Sequence, residues 1–204
     1  MRFFLRSGFI ASFALLLGLA LCGGRAQAAP GPSDEVRGFY DVLLNNMKNA
    51  AALGVKGRYD KLEPVVMATF DVPFMSRLSV GPSWGQLNAE QKQAVAKAFG
   101  RYITATYATQ FDGYSGEQLN VIGEQKLKHG TLVRTQIVKS DGEPISINYV
   151  LHDNDVRWQI RDIYLAGTIS QLATRRSEFS SILRGQGIEK LVSVLNDKAD
   201  TLQK

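Results

Sequence analysis

The chain has 204 residues, with 24 lysines and arginines, 19 acidic residues, two histidines and one cysteine. This length suits one domain with a sizeable hydrophobic core. One cysteine excludes an internal disulfide and a cysteine metal cluster, and the formal charge of the whole chain is +5.

Residues 1–28 have the pattern of a secretory signal peptide. Two arginines precede an apolar run from Gly8 to Cys22, and Ala26-Gln27-Ala28 places small residues where a signal peptidase cleaves. The run is too short for a comfortable membrane span. We therefore predict cleavage after Ala28, which leaves one mature domain, 29–204.

The competing prediction is a lipoprotein whose first residue is Cys22. Leu21 disfavours it, because the residue before a lipidated cysteine is normally small. Cleavage after Ala28 would also remove the cysteine and three arginines, so the mature charge becomes 21 − 19 = +2. This near-neutral charge favours neither nucleic acid nor a strongly charged partner.

The mature chain opens with helical patterns. The first helix is predicted to end at Gly54, and a second covers Tyr59 to Thr69. A short third helix begins at Asp71 and Pro73. The apolar side of the first helix is formed by Val36, Phe39, Tyr40, Leu43, Leu44 and Met47.

A longer helix follows the break GPSWGQLN. Asn88 is a good N-cap and Gln91 its capping-box partner. Apolar residues spaced three and four apart form one stripe, namely Val95, Phe99, Tyr102, Ile103, Tyr107 and Phe111. The stripe belongs either to an ordinary buried helix or to the wall of a cavity for an apolar ligand.

Beyond Tyr114 the apolar period changes from helical to alternating. Four runs rich in β-branched and aromatic residues predict strands at Leu119–Gln125, Thr131–Lys139, Pro144–His152 and Val156–Leu165. The short turns between them favour an antiparallel four-stranded meander. One face is predicted to be apolar, with Val133, Ile137, Ile145, Ile147, Tyr149, Leu151, Val156, Trp158 and Ile160.

Two further helices, Ser170–Leu183 and Ile188–Leu202, are predicted on either side of Gly185 and Gly187. We therefore expect a single α+β domain, in which a twisted antiparallel sheet has helices packed over one face and an apolar pocket between the layers.

Few residues suggest catalysis. Gly81-Pro82-Ser83-Trp84-Gly85 matches the G-x-S-x-G nucleophile elbow, which would make Ser83 the nucleophile of a lipid or ester hydrolase. That motif requires a strand before the serine and a parallel sheet, and neither is predicted. His129 and His152 lack partners at metal-ligand spacing, and Arg175-Arg176 is either a phosphate contact or a solvated helix face.

Several segments carry a resemblance to a known family. The stretch DVPFMSRLSVGPSW at 71–84, the helix ending in Thr106-Tyr107, and WQIRD at 158–162 with GTIS at 167–170 resemble the MlaC or toluene-tolerance family. The segments FDVPFMSRLSVGPSW, FDGYSG and SQLATRRSEF are most similar to the hopanoid-associated HpnM branch. The resemblance covers essentially the whole mature chain.

The resemblance implies a monomeric periplasmic carrier without cofactor, metal or catalytic group. Its cargo is a phospholipid or a hopanoid. Its partners are an inner-membrane ABC transporter with an MCE-domain subunit and an outer-membrane lipoprotein complex. The family likeness does not separate the two cargoes, and an adaptor with a packed interior is the remaining alternative.

For such a carrier we predict that the lipid tails contact the apolar faces of the central helices and of the sheet. The predicted lipid-binding residues are Phe70, Phe74, Met75, Leu78, Trp84, Phe99, Ile103, Tyr107, Phe111, Val133, Ile147, Tyr149, Trp158 and Ile160.

Overall fold

An antiparallel sheet and five α-helices make up the part of the chain described by a computed structural model, residues 30–139 and 142–204. The predicted signal peptide lies outside these residues. The elements are α1 (Pro32–Lys48), α2 (Ala50–Thr69), α3 (Val72–Val80), a 3-10 helix (Gly81–Gln86), α4 (Ala89–Gln110), β1 (Gln118–Leu127), β2 (Gly130–Val138), β3 (Ile145–Asp153), β4 (Trp158–Leu165), β5 (Ile169–Ser170) and α5 (Gln171–Leu202).

The sheet is a meander in which each strand pairs with the next along the chain. The α+β class and the antiparallel order are confirmed, but the predicted number of four strands is wrong. Ala166 and Gly167 have φ values of 48° and 78°, so the chain turns sharply after β4. It then pairs Ile169 with Leu165 as a fifth, two-residue strand.

The predicted helix starts in the central stretch are confirmed. The Asp71 carboxylate accepts a hydrogen bond from the Phe74 amide at 3.1 Å. Asn88 and Gln91 form a reciprocal capping box with distances of 2.8 and 3.1 Å. These caps satisfy amide groups that the first helical turn leaves free.

Two glycines interrupt long helices. The first helix ends at Lys48 rather than at Gly54, and Gly54 instead forms a non-helical break (φ 60°, ψ 178°) within α2. Gly187 (φ 80°, ψ −176°) similarly divides α5, so the two predicted C-terminal helices are two segments of one element. Both conformations are accessible essentially to glycine alone.

The inner face of the sheet changes phase at a β-bulge in β4. Tyr149 pairs with Ile163 and Leu151 with Ile160, which leaves Arg161 as the extra residue. Ile163 therefore lies on the same face as Ile160, although the two are three positions apart.

Ile145 and Val156, which were predicted on the apolar face, are 43% and 80% exposed. Ile145 begins β3 and Val156 lies in the turn before β4. Both positions are at the ends of hairpins, away from the buried middle of the strands, so the prediction that they are buried is wrong.

Polar contacts attach the helices to the sheet and to each other, and two of them lie on opposite sides of the helical layer. The Asp71 amide donates to the Ile160 carbonyl at 2.9 Å, and Arg161 forms an ion pair with Asp71 at 2.8 Å. On the other side, Arg101 of α4 contacts Asp200 at 2.6 Å in the segment of α5 that follows Gly187. These contacts leave the first segment of α5 to cover the end of the sheet.

Candidate functional site

An apolar cavity lies between α3, α4, the beginning of α5 and the adjoining ends of β3 and β4. We call it the inner cavity. Its volume is about 140 Å³. It is lined by Met75, Phe99, Tyr102, Ile103, Thr106, Tyr107, Gln110, Phe111, Ile147, Ile163, Leu165, Gln171, Leu172 and Arg175.

Helix α4 and its C-cap residue Phe111 supply two parallel rows of side chains to this cavity. The inner row is Phe99, Ile103, Tyr107 and Phe111, and the outer row is Tyr102, Thr106 and Gln110. Each row repeats every four residues, so its members lie on one line along the helix. The inner row is buried or half-buried and Gln110 is exposed. The cavity therefore has an apolar wall and a polar rim on the α4 side.

The first turn of α5 forms the opposite side. Leu172 is buried, whereas Gln171 and Arg175 are half-buried and one helical turn apart. Asp162 of β4 fixes this turn, because its carboxylate accepts hydrogen bonds from the Leu172 amide at 3.1 Å and the Ser170 hydroxyl at 2.6 Å. The position of Gln171 and Arg175 at the rim thus depends on a contact between strand and helix.

Arg175 is the only charged residue among the described residues that line the inner cavity. Its guanidinium carbon lies 5.1 Å from the centroid of the Tyr102 ring, and Nη1 donates to both carboxylate oxygens of Glu178 at 3.1 and 2.9 Å. Lys198 lies 5.7 Å from the same ring centroid. Two cations therefore adjoin Tyr102 at the rim.

A packed aromatic cluster borders the inner cavity through Tyr107. The Tyr107 ring is edge-on to Phe39 with centroids 5.1 Å apart, and Tyr149 is edge-on to Tyr40 at 5.9 Å. Burial raises the pKa of the Tyr107 and Tyr149 hydroxyls well above the usual value. We call these residues, with Phe70, the aromatic cluster.

The predicted lipid-binding residues occupy several environments. Six line the inner cavity: Met75, Phe99, Ile103, Tyr107, Phe111 and Ile147. Four are at most 1% exposed in the packed core: Phe70, Val133, Tyr149 and Ile160. Phe74 and Leu78 line a groove on the other face of the sheet, Trp158 lines a small cleft beside Lys126, and Trp84 packs half-buried against the core.

The lining residues that were not among the predicted lipid-binding residues are Tyr102 of the predicted α4 stripe, Leu172 of α5, and two further groups. Ile163 and Leu165 reach the cavity because the bulge at Arg161 shifts the alternation of β4 by one position. Thr106, Gln110, Gln171 and Arg175 form the polar rim, where hydrophobicity gives no signal. Their four-residue spacing on two helices was visible in the sequence, but the packing of those helices was not.

The groove on the other face of the sheet is larger, with a volume of about 670 Å³. Its lining includes Arg161, Asp162 and Arg176 as well as both histidines. An acyl tail lying there would contact charged groups that are poorly compatible with hydrocarbon. The smaller inner cavity is therefore the better candidate for an apolar ligand.

Ser83 is not placed as a nucleophile elbow requires. It lies in the 3-10 helix between α3 and α4, and the sheet is antiparallel. The hydrogen bonds found among residues 30–139 and 142–204 include none from the Ser83 hydroxyl to a histidine or a carboxylate. The same residues contain no cluster of potential metal ligands and no helix that is long and apolar enough to cross a membrane.

Comparisons with known proteins agree with this architecture. The family model described as "MlaC protein" matches residues 39–197. A curated relative, the intermembrane phospholipid transport system binding protein MlaC of Haemophilus influenzae, is 26% identical over 125 residues, which span 59% of this chain and 58% of the relative.

A solved structure extends the likeness in fold. The phospholipid-binding protein of Ralstonia solanacearum, solved in complex with a phospholipid, superposes with a TM-score of 0.74 at 18% identity, covering 85% of this chain and 99% of that one.

Proposed function

Because the chain belongs to the MlaC family, we propose that it is a lipid carrier that binds phospholipid by its acyl tails in the inner cavity. The observation that carries the proposal is the inner cavity itself, whose wall is apolar and whose rim is polar. The relatives named above are a phospholipid transport protein and a phospholipid-binding protein, and both names agree with this cargo.

The energetics of lipid transfer explain why such a cavity is useful. Exposing two acyl chains of about 16 carbons to water costs on the order of 25 kcal/mol, at about 0.8 kcal/mol per methylene group. A carrier lowers this cost by replacing water with apolar side chains around the tails. Binding and release require no covalent bond to be made or broken, so the proposed activity needs no catalytic residue.

The volume of the inner cavity sets a requirement on binding. About 140 Å³ is close to the size of an engineered protein cavity that holds one benzene molecule, so a complete tail fits only if the walls separate. The segment of α5 after Gly187 is bonded to α4 through Arg101 and Thr109. We propose that the segment before Gly187, which carries Leu172 and Arg175, moves outward.

The family and the sequence of the first 28 residues support a proposal about the cellular context of this activity. We propose export to the periplasm with cleavage after Ala28. There the carrier would exchange lipid with an inner-membrane MCE-domain ABC transporter complex and an outer-membrane lipoprotein complex. The similarity to the HpnM branch makes a hopanoid the alternative cargo.

The experiment that tests the carrier function is analysis of the protein as purified from a periplasmic fraction without detergent. Mass spectrometry of an organic extract should detect stoichiometric phospholipid, and the intact mass should correspond to a chain beginning at Ala29. An empty protein would contradict the carrier function and favour the adaptor. Hopanoid in the extract would keep the carrier and change the cargo.

A transfer assay separates carriage from hydrolysis. Incubation with vesicles that contain labelled phospholipid should move the label to acceptor vesicles without releasing fatty acid. The Ser83→Ala variant should transfer as well as the wild type does. Fatty acid release that disappears in Ser83→Ala would contradict the proposal and support the hydrolase.

A further inference from the structure

The inner cavity has an apolar wall, and its rim carries a single guanidinium group. This combination favours amphiphiles that have an anionic group next to their apolar part. We propose that Arg175 binds an anionic phosphate that is directly attached to the apolar part of the cargo. The inference rests on the proposed carrier function and deepens it by assigning the head-group contact. The Arg175 contact would distinguish a phosphate-bearing lipid from a neutral lipid with the same tails.

The position of Arg175 supports this assignment. It lies on α5 one turn after Gln171, at the rim, while Leu172 on the same turn contacts the apolar interior. Tails that enter the cavity between α4 and α5 therefore leave their polar end beside Arg175. The side chain is 21% exposed, so it is accessible to a ligand and still partly shielded from water.

The arrangement of Arg175 is suitable for an anion. Stacking near Tyr102 and the ion pair with Glu178 hold the guanidinium at the rim. Both hydrogen bonds to Glu178 come from Nη1, and Nε and Nη2 form no hydrogen bond within residues 30–139 and 142–204, so they can donate to a ligand. A guanidinium group binds phosphate oxygens with two parallel hydrogen bonds, which are stronger than neutral hydrogen bonds.

The other charges near the rim modulate this contact. Lys198 lies by the same tyrosine ring and adds a second positive charge, whereas Glu178 competes with the phosphate for Arg175. The amide groups at the start of α5 are not an alternative anion site, since Asp162 and Ser170 already accept hydrogen bonds from Leu172 and Ala173. Arg175 is thus the group at the rim that a phosphate can reach and that the protein has left partly unoccupied.

The test compares two lipids that differ only in the head group. Dioleoyl phosphatidylglycerol and dioleoylglycerol are titrated against the delipidated protein, each by displacement of a tail-labelled fluorescent lipid. Wild-type protein should bind the phosphatidylglycerol about tenfold more tightly, because charge-assisted hydrogen bonds contribute strongly at a partly buried site. Arg175→Gln should remove this preference, because it should weaken the binding of phosphatidylglycerol much more than the binding of dioleoylglycerol.

Two further variants make the test specific. Arg176→Gln changes the neighbouring arginine, which lines the groove on the other face of the sheet, and should behave as wild type. Glu178→Gln removes the competing negative charge but keeps a side-chain oxygen that can accept a hydrogen bond from Arg175, so it should strengthen the binding of phosphatidylglycerol alone. Opposite effects at Arg175 and Glu178 cannot arise from a general loss of folding.

The outcomes separate this inference from the carrier function. If wild type binds both lipids and Arg175→Gln changes neither affinity, or weakens both equally, the phosphate contact is wrong while the carrier function stands. If wild type binds neither lipid, the carrier function fails and the head-group assignment fails with it.

Discussion

The aromatic cluster and the inner cavity are adjacent, built from the same residue types, and different in packing. Tyr149 in the cluster is 1% exposed and its ring is edge-on to Tyr40. Ile147, two residues earlier on the same face of β3, is half-buried and lines the cavity. The sheet therefore contributes to a solid core at its middle and to a ligand space at its end.

Tyr107 separates the two regions. Its ring contacts Phe39 and Phe70 of the cluster on one side. On the cavity wall, Phe111 is stacked on the Tyr107 ring with centroids 5.7 Å apart. A rigid cluster behind the wall lets the cavity remain open, because the side chains that could collapse into it are held by their own packing. Aromatic content alone therefore does not distinguish a packed core from a binding site.

The largest effect is expected from Tyr149→Arg. A charge placed among Tyr40, Tyr107 and Val133 has no partner there, and an uncompensated buried charge costs about 3 kcal/mol or more. That is a large fraction of the stability of an ordinary domain, about 5–15 kcal/mol. We therefore expect the midpoint of thermal unfolding of the delipidated protein to collapse.

Tyr149→Phe is the matched control for this variant. It keeps the ring packing and loses only the hydroxyl, so it should cost about 1 kcal/mol. A Tyr149→Arg protein that unfolds near the wild-type temperature but has lost its lipid would show instead that Tyr149 faces the tails.

A smaller effect on stability is expected when a tryptophan is introduced in each of the two regions. Leu151→Trp adds volume at a fully buried position of β3 and should lower stability by about 1–3 kcal/mol. Ile147→Trp adds the same atoms at the cavity, where space is available, and should fold with nearly wild-type stability. Its lipid content, measured by extraction, should fall because the ring occupies the tail space.

Equal loss of stability in Leu151→Trp and Ile147→Trp would mean that the cavity is as tightly packed as the core. Wild-type lipid content in Ile147→Trp would mean that tails bind elsewhere. Either result would contradict the distinction between the two regions.

The smallest effect concerns pH. Burial raises the pKa of Tyr107 in the folded protein, whereas in the unfolded chain a tyrosine titrates near its usual value of about 10. Above that pH the unfolded state loses its proton first, so the free energy of unfolding falls as pH rises, by up to about 1.4 kcal/mol per pH unit for one tyrosine. Below it, Tyr107 contributes no pH dependence.

Tyr107→Phe should therefore reduce the alkaline slope of stability without changing the slope at neutral pH. Urea unfolding at several values from about pH 8 to about pH 11 measures the dependence of the free energy of unfolding on pH. Identical alkaline slopes in wild type and variant would show that the Tyr107 hydroxyl is hydrated in the folded state.

Local sequence patterns predicted much of the architecture. The caps at Asp71 and Asn88, the stripe on α4 and the four main strands are set by interactions within a few residues, so they can be inferred from spacing. The strand β5 was missed because two residues are too few to show an alternating pattern. The predicted end of the first helix at Gly54 was wrong because a glycine break can also lie inside a longer helical element.

The candidate site was predicted only where it coincides with a local pattern. The inner row of α4 belongs to the amphipathic stripe, and Phe99, Ile103, Tyr107 and Phe111 were therefore identified. Ile163 was not, because the bulge at Arg161 that brings it to the cavity arises from pairing with β3. Of the polar rim, only Arg175 was noted in the sequence, as a possible phosphate contact, since the rim residues are close together only after α4 and α5 have packed.

The family, the fold class and the main apolar faces could be inferred from the amino-acid sequence alone, because they depend on residue order and short-range periodicity. Only the folded structure shows which apolar residues fill the core and which line the inner cavity. Phe70 and Phe111 are alike in chemistry, yet one is fully buried in the core and the other lines the cavity. The reason is physical: burial depends on what packs opposite a side chain, and that partner comes from a distant part of the chain.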